Sequence, residues 1–125
     1  VEKYSLLTSQ QRERVLKLWS QDRPTSLILK QKTTPPGPLI ADQTTLAWRL
    51  PKNPFLLKII KALEIPLVST SLNKTGQPTI KSVAEFSELV ADKNAPDLII
   101  DGGVLDGQPS RLIDLSGETE KIIRS

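Results

Sequence analysis

The order of apolar and polar positions along the chain divides it into short elements, some with helical spacing. Three segments combine a capping residue with apolar residues that recur at helical spacing, which predicts helices over residues 8–20, from residue 54 and from residue 82. The predicted caps are Thr8, Asn53 and Ser82. The apolar residues predicted to face inward on the second and third helices are Phe55, Leu56, Ile59, Ile60, Leu63, Val83, Phe86, Leu89 and Val90.

Other segments are short apolar or alternating runs that are typical of strands. They predict strands over residues 25–30, 44–50, 65–70, 97–101, 110–115 and 121–124. The first and fourth of these runs are apolar enough to be buried strands. The second alternates, so that Thr45, Ala47 and Arg49 share one face and Leu46, Trp48 and Leu50 share the other.

Strands that alternate with helices predict an α/β or mixed α+β fold, in which helices pack across a sheet. Residues 33–38 contain three prolines and a glycine, which exclude a helix and a central strand and predict a loop. This loop is too short to separate two domains.

Composition narrows the chemistry that is open to this chain. The 125 residues contain no cysteine and no histidine, which excludes disulfides, thiolate metal sites and every Ser-His or Cys-His catalytic arrangement. The net charge of +3 favours anionic partners weakly.

No apolar run approaches the length of a membrane span and no signal-peptide pattern is present, so we expect a cytoplasmic protein without a membrane partner. Methionine is absent even at position 1, which indicates a fragment.

Three polar features are candidates for binding chemistry, and each has a simpler alternative. The hydroxyl- and amide-rich segment that follows the run at 65–70 is either a ligand loop or a loop that satisfies its own hydrogen bonds, and Lys74 in it is either a phosphate ligand or a solvated charge. Arg49 either meets an anion or reaches solvent from an edge strand. Residues 101–103 are either a carboxylate metal site or, as we favour, a hairpin-like turn.

Five segments, in chain order, carry a resemblance to one family. Residues 24–29 resemble W-P-G-P-x-T-L-I-L, residues 45–51 resemble T-V-A-V-R-x-P, residues 71–78 resemble S-A-N-x-S-G-x-P, residues 101–114 resemble D-G-G…G-x-S-T-V-V-D, and residues 122–124 resemble I-L-R. These are motifs of the YrdC-like threonylcarbamoyl-AMP synthases. Each motif is weak alone, but their shared order over the chain makes the resemblance specific.

The resemblance implies a fold and an activity. The fold would be a twisted mixed sheet flanked by helices, of the YrdC/RibB-like type. The activity would be a nucleotidyltransferase reaction in which ATP, L-threonine and bicarbonate give threonylcarbamoyl-AMP and pyrophosphate, with Mg²⁺ expected. A partner transferase would then move the threonylcarbamoyl group to tRNA.

The resemblance also implies binding residues, position by position. The residues expected to contact ATP or its AMP portion are Thr45, Asn73, Thr79 and Arg124. The residues expected to hold threonine are Arg49, Ser71 and Ser110. It assigns no catalytic side chain and no metal ligand. The two arginines suit this chemistry because a guanidinium binds a carboxylate or a phosphate in bidentate fashion.

The chain also departs from the family pattern. Residues 20–24 replace the tryptophan-proline-glycine-proline run, Arg111 stands in place of threonine and Leu72 in place of alanine. The family's P-T-D-T-x-Y-G-L and K-x-R motifs are not found. We therefore expect a single YrdC-like domain over residues 1–125, truncated at its amino terminus and weak or inactive alone. The alternatives are a non-catalytic relative that binds tRNA or double-stranded RNA, and a carbamoyl-transfer module of a larger protein.

Overall fold

The computed structural model of the chain describes residues 1–35, 43–86 and 96–125. These residues form the helices α1 (Ser9–Ser20) and α2 (Pro54–Leu63) and the strands β1 (Thr25–Lys30), β2 (Thr45–Arg49), β3 (Arg111–Asp114) and β4 (Lys121–Arg124). The four strands form one sheet in the order β2-β1-β3-β4. β1 pairs with β2 in antiparallel and with β3 in parallel orientation, and β3 pairs with β4 in antiparallel orientation. The predicted mixed sheet is therefore confirmed.

The chain consists of two compact units. The first, here called the sheet unit, comprises Val1–Leu67 and Pro109–Ser125 and contains both helices and all four strands. The second, here called the loop unit, is Val68–Gln108. That the 125 residues act as a single domain stays a prediction.

The hydrophobic core of the sheet unit lies between α1 and one face of the sheet. The predicted capping box at the start of α1 is present, because Thr8 and Gln11 exchange side chain-to-backbone hydrogen bonds of 3.0 and 3.1 Å. The helix then presents two buried residues to the sheet. The buried core residues are Val15, Leu18, Leu27, Leu29, Ile113 and Leu115. Residues 8–20 therefore supply both the cap that begins α1 and two residues of the core.

Two polar contacts hold α1 against the end of the sheet. Gln11 Nε2 donates a 2.8 Å hydrogen bond to the carbonyl oxygen of Leu115, just after β3. Arg14 donates to both carboxylate oxygens of Glu120 at 2.7 and 2.8 Å, which joins α1 to the residue before β4. Contacts between residues so distant in sequence fix the position of the helix over the β3–β4 hairpin.

Helix α2 forms as predicted, but its apolar residues are not covered. Asn53 Oδ1 accepts hydrogen bonds from the backbone N–H groups of Phe55 and Leu56 at 2.9 and 3.2 Å, and Pro54 occupies the first helical position. Glu64 ends the helix with a φ of 55°. No residue of α2 is buried, and Phe55 is 48% exposed. The prediction of the helix from its cap and apolar spacing is therefore confirmed, whereas the predicted burial of its apolar face is wrong.

Two of the six predicted strands are absent from the structure. Residues 65–70 and 97–101 form no strand, and Leu98 and Ile100 are 74% and 56% exposed. The prediction of a buried strand at 97–101 is therefore wrong, as is that of a strand at 65–70. Apolar runs become strands only when a neighbouring backbone completes a hydrogen-bonded ladder, and no described strand pairs with either segment.

The third predicted helix lies mostly outside the described residues. At its expected start, the Ser82 and Glu85 side chains form a 3.0 Å hydrogen bond with each other, and the Phe86 N–H donates to Val83 O at 3.0 Å. Leu89 and Val90, which were predicted to face inward, are not among the described residues. The same holds for residues 36–38 of the predicted proline-rich loop.

Candidate functional site

The face of the sheet that points away from the core carries the candidate site in the sheet unit, and is here called the outer face. On β1 the core side chains alternate with Ser26, Ile28 and Lys30. Register places these three opposite Arg49, Ala47 and Thr45 of β2, and opposed residues of a ladder share a face. The predicted common face of Thr45, Ala47 and Arg49 is therefore confirmed, and it is the outer face.

One row of residues crosses all four strands at one end of this face. Ser26 lies opposite Arg49 on one side and Leu112 on the other, and Leu112 lies opposite Arg124. We call Arg49, Ser26, Leu112 and Arg124, together with the adjacent Ser110, the site row. Since strands are about 4.8 Å apart, the Cα atoms of its two arginines are separated by roughly 14 Å. The row brings together three of the side chains predicted to bind ligands: Arg49, Ser110 and Arg124.

Ser110 is held in place by its neighbours. It is only 6% exposed, and its carbonyl oxygen accepts hydrogen bonds from Arg124 Nε at 3.0 Å and Arg124 Nη2 at 2.8 Å. Its hydroxyl lies 3.4 Å from the same Nη2 and 2.9 Å from Ser26 Oγ. These contacts fix the Arg124 guanidinium at the end of the sheet and leave its Nη1 donors for an anion.

Arg49 is exposed and β2 is an edge strand, so the guanidinium reaches solvent. It makes no hydrogen bond or ion pair with any residue in the described ranges. A guanidinium without a carboxylate partner beside a row of hydroxyls is able to take up a carboxylate or phosphate group. Solvent exposure and anion binding, the two alternatives for Arg49, are therefore compatible.

Thr45 shares the outer face but not the site row. It lies opposite Lys30 at the far end of β2, four residues from Arg49, and four strand residues span about 13 Å. The structure therefore does not place Thr45 beside Arg124, although both are predicted to contact the nucleotide.

The remaining predicted residues lie in one loop of the loop unit, residues 71–80. Asn73 Nδ2 donates to the carbonyl oxygens of Lys74 and Gln77 at 3.0 and 2.9 Å, and the Ile80 N–H donates to Leu72 O at 3.0 Å. Gly76 has a φ of +80°, which side chains disfavour. The loop thus satisfies part of its own backbone, whereas the hydroxyls that the simpler alternative expected to satisfy one another make no hydrogen bond within the described residues. Asn73 Oδ1 is left as an acceptor. Ser71 and Thr79 are exposed.

Residues 101–103 are bridged by a side chain. Asp101 Oδ1 accepts a 2.8 Å hydrogen bond from the Gly103 N–H, and Gly103 has a φ of +75°. The favoured interpretation as a hairpin-like turn is wrong, because residues 101–103 form no backbone turn and no strand of the described structure leads directly into them. Across the parts of the chain that the structure describes, no group of three or more histidine, cysteine, aspartate or glutamate residues could hold a metal ion.

A carboxylate also lies on the outer face. Hydrogen bonds from the Ser116 hydroxyl (2.6 Å) and N–H (2.8 Å) lower the pKa of Asp114, and the charge of Lys121 opposite it adds to this effect. Asp114 is therefore ionised at neutral pH and already has its own partners.

Sequence reasoning missed Ser26, the residue at the middle of the site row. The signal that could have found it is positional: Ser26 stands at the threonine position of the W-P-G-P-x-T-L-I-L motif that residues 24–29 resemble. By contrast, Arg111, which departs from the family pattern, points to the core side, where its Nη2 donates to Gln21 Oε1 and Thr25 Oγ1 at 3.0 and 3.3 Å. That substitution therefore does not alter the site row.

Comparison with known proteins identifies the group to which this chain is related. The model of the Sua5/YciO/YrdC family, described as "Telomere recombination", matches residues 1–125. The chain belongs to the Sua5/YciO/YrdC family. Uncharacterized protein YciO of Escherichia coli (strain K12) is 34% identical over 100 residues, 79% of this chain and 48% of that protein. The threonylcarbamoyl-AMP synthase of Klebsiella pneumoniae is 32% identical over 116 residues, 91% of this chain and 58% of that protein.

Solved structures of the family share the fold. The crystal structure of E. coli YciO matches with a TM-score of 0.77 and 27% identity, over 98% of this chain and 59% of that chain. A variant of P. abyssi Sua5 matches with a TM-score of 0.75 and 23% identity, over 97% and 35%. The YrdC-like fold is therefore confirmed, and the chain spans about half the length of the curated relatives it matches. In the described ranges, neither helix has the length and hydropathy that crossing a bilayer requires.

Proposed function

We propose that this chain contributes to a threonylcarbamoyl-AMP synthase, binding L-threonine and ATP for a reaction with bicarbonate that yields threonylcarbamoyl-AMP and pyrophosphate. The observation that carries the proposal is the site row, in which two arginines flank two hydroxyls at one end of the sheet. The 32% identity to a protein named threonylcarbamoyl-AMP synthase supports it. The product would supply tRNA threonylcarbamoyladenosine formation through a separate transferase.

The two arginines suit the two anionic groups of the substrates. Arg49 would pair with the threonine carboxylate, and the Nη1 donors of Arg124 would contact a phosphate group. The predicted ligand contacts of Thr45 in the sheet unit and of Ser71, Asn73 and Thr79 in the loop unit stay predictions. The threonine nitrogen and bicarbonate would form an N-carboxylate with loss of water, and an oxygen of that carbamate, not of the threonine carboxylate, would join the α-phosphorus as pyrophosphate leaves. This second step requires alignment and charge neutralisation more than acid–base groups, which fits a chain without histidine.

The magnesium ion expected with this reaction has few protein ligands to draw on here. Mg²⁺ usually binds one or two carboxylates together with substrate phosphates and water. Asp114, the carboxylate of the outer face, already accepts hydrogen bonds from Ser116. The ion would therefore arrive on the phosphates of ATP, where it neutralises charge.

Calorimetric titration tests the proposal directly. We expect ATP and L-threonine to bind the unaltered chain, and Arg49→Ala to weaken L-threonine binding at least about tenfold, since a hydrogen bond to a charged group contributes about 1.5–3 kcal/mol. Arg12→Ala is the matched control, because it removes an equally exposed arginine whose only ion pair, with Glu2, is at the surface of the described structure. Failure of both ligands to bind at millimolar concentration would contradict the proposal.

A second candidate function is binding of structured RNA, which the charge of the outer face favours. Four cations, Lys30, Arg49, Lys121 and Arg124, share this face with one described carboxylate, Asp114. If RNA binds there, its affinity should fall steeply with salt, because each phosphate contact releases counterions. A titration of double-stranded RNA and tRNA at several salt concentrations tests this, and binding that is unchanged in the Arg49→Ala, Arg124→Ala double variant would exclude the outer face.

A further inference from the structure

Ser26 lies between Arg49 and Ser110 in the site row. Register places it directly opposite Arg49, and directly opposed residues on one face have Cβ atoms about 5 Å apart. On its other side, its Oγ lies 2.9 Å from Ser110 Oγ. Its side chain is half-buried, whereas Ser110 is buried. Of the two hydroxyls, that of Ser26 is thus the more accessible and the closer to Arg49.

The contacts of Ser110 allow a directed chain of hydrogen bonds. Arg124 has only donors, so at 3.4 Å from its Nη2 the Ser110 oxygen is an acceptor. Either hydroxyl can donate in the 2.9 Å contact between Ser110 and Ser26. When Ser110 donates, the chain runs from Arg124 through Ser110 to Ser26, its bonds polarise one another in the same direction, and the proton of Ser26 is left for a further acceptor.

We propose that Ser26 is a binding residue of the site, whose hydroxyl donates a hydrogen bond to the anionic group that Arg49 holds. Under the proposed function, on which this inference rests, that group is the threonine carboxylate. Arg49 supplies charge and Ser26 a directed donor, so the carboxylate is held at two points. The positive charge of Arg124 reaches the same group through the two hydroxyls.

An isosteric pair of variants tests this role. Ser26→Thr keeps the hydroxyl and Ser26→Val replaces it with a methyl group of similar size, and both β-branched residues suit a strand. The affinities for L-threonine and for ATP are measured separately by calorimetry, and folding is checked by circular dichroism. Thr33→Val is the matched control, because it makes the same change at an exposed residue outside the site row.

We expect Ser26→Val to weaken L-threonine binding about tenfold or more, with ATP binding within twofold of the unaltered chain, and Ser26→Thr to bind both ligands normally. If Ser26→Val does not fold, Ser26→Ala is judged by the same criteria. Equal L-threonine affinities in the two variants, while Arg49→Ala still abolishes binding, would overturn the role of Ser26 and leave the proposed function intact. Equal losses for both ligands, or losses in both variants, would reduce Ser26 to a structural role. If the unaltered chain binds neither ligand, both proposals are wrong.

Discussion

Arg14 and Glu120 form a two-point ion pair on the surface of the sheet unit. The hydrogen bonds from Arg14 hold the pKa of Glu120 below its usual value and raise that of Arg14. Because the lowered pKa belongs to the folded state, the stabilisation is complete above the unfolded-state pKa and is lost as the pH falls through the folded-state value. Partial exposure of both side chains limits the contribution to about 0.5–1 kcal/mol.

This ion pair yields a prediction about pH. We expect Glu120→Gln to lower the free energy of unfolding by about 0.5–1 kcal/mol at pH 7, and the difference from the unaltered chain to shrink as the pH falls below the usual range of a glutamate. Urea denaturation at a series of pH values measures both. Glu118→Gln is the control, because Glu118 makes no ion pair within the described ranges. A Glu120→Gln difference that persists undiminished at pH 3 would refute the assignment.

The site shows which residue-level predictions sequence can support. Motif positions predicted Arg49, Ser110 and Arg124 as ligand residues, and the structure places these three in one row across the sheet, with the arginines at its two ends. Their roles stay predictions. Ser26 lies within a quoted motif but was given no role, because its place beside Arg49 and Ser110 follows from the register of β1 against β2 and β3. Asn73 was identified as a ligand residue, whereas its amide nitrogen closes its own loop. Contacts across a sheet are set by pairing, which a single sequence does not display.

Among the elements, the two helices differ in what they contribute to stability. Both begin at caps that the sequence identifies, but α1 covers the core and α2 has no buried residue. Helix α1 unfolds only with the core, whereas α2 can open on its own. The same chemical defect should therefore have different consequences in the two helices.

We predict that Thr8→Ala lowers the global free energy of unfolding by about 1 kcal/mol, the usual cost of a lost cap. Asn53→Ala should leave it within about 0.3 kcal/mol, but should speed amide exchange in α2, because the loss is confined to local opening. Denaturant melts and hydrogen–deuterium exchange measure the two effects. Ser9→Ala, next to the α1 cap, is the control. Equal global losses from the two cap variants would show that α2 is part of the cooperative unit.

The six predicted strands fall into two groups, according to whether each has a partner strand in the structure. Four of the predicted strands are present almost to the residue, at 25–30, 45–49, 111–114 and 121–124. In the sequence each alternates or ends at a turn signal, and in the structure each pairs with another strand. Residues 65–70 and 97–101 are also apolar runs, but they have no partner strand in the described structure. Apolar character predicts the potential to pair, whereas pairing itself depends on a second segment.

For the whole molecule, burial is concentrated in one of the two units. Every buried core residue lies in the sheet unit, and the described residues of the loop unit include no buried side chain. Regions with few buried apolar contacts open at low free energy. The sheet unit therefore contains the stable core, whereas three of the predicted ligand residues lie in the loop unit.

We predict that amide protection follows this division. Backbone amides of β1 and β3 should exchange slowest, near the global unfolding rate, whereas those of residues 68–86 and 96–108 should exchange at least about a hundredfold faster. Hydrogen–deuterium exchange followed by mass spectrometry measures this without any substitution. Comparable protection in both parts would contradict it. Addition of ATP or L-threonine should slow exchange in the 71–80 loop if that loop binds either ligand.

The parallel pairing of β1 with β3 also has a consequence for how the chain is made. Ser26 and Ser110, whose hydroxyls meet in the site row, are 84 residues apart in sequence, and Arg124 follows later still. Closing so long a loop is slow, because its entropy is lost before the contacts form. During synthesis β1 therefore waits for β3 until residue 114 has left the ribosome. The site row is thus the last part of the sheet unit to be completed, and a chain that stops before residue 110 has β1 paired with β2 alone, so that the other edge of β1 is open for chaperones to recognise.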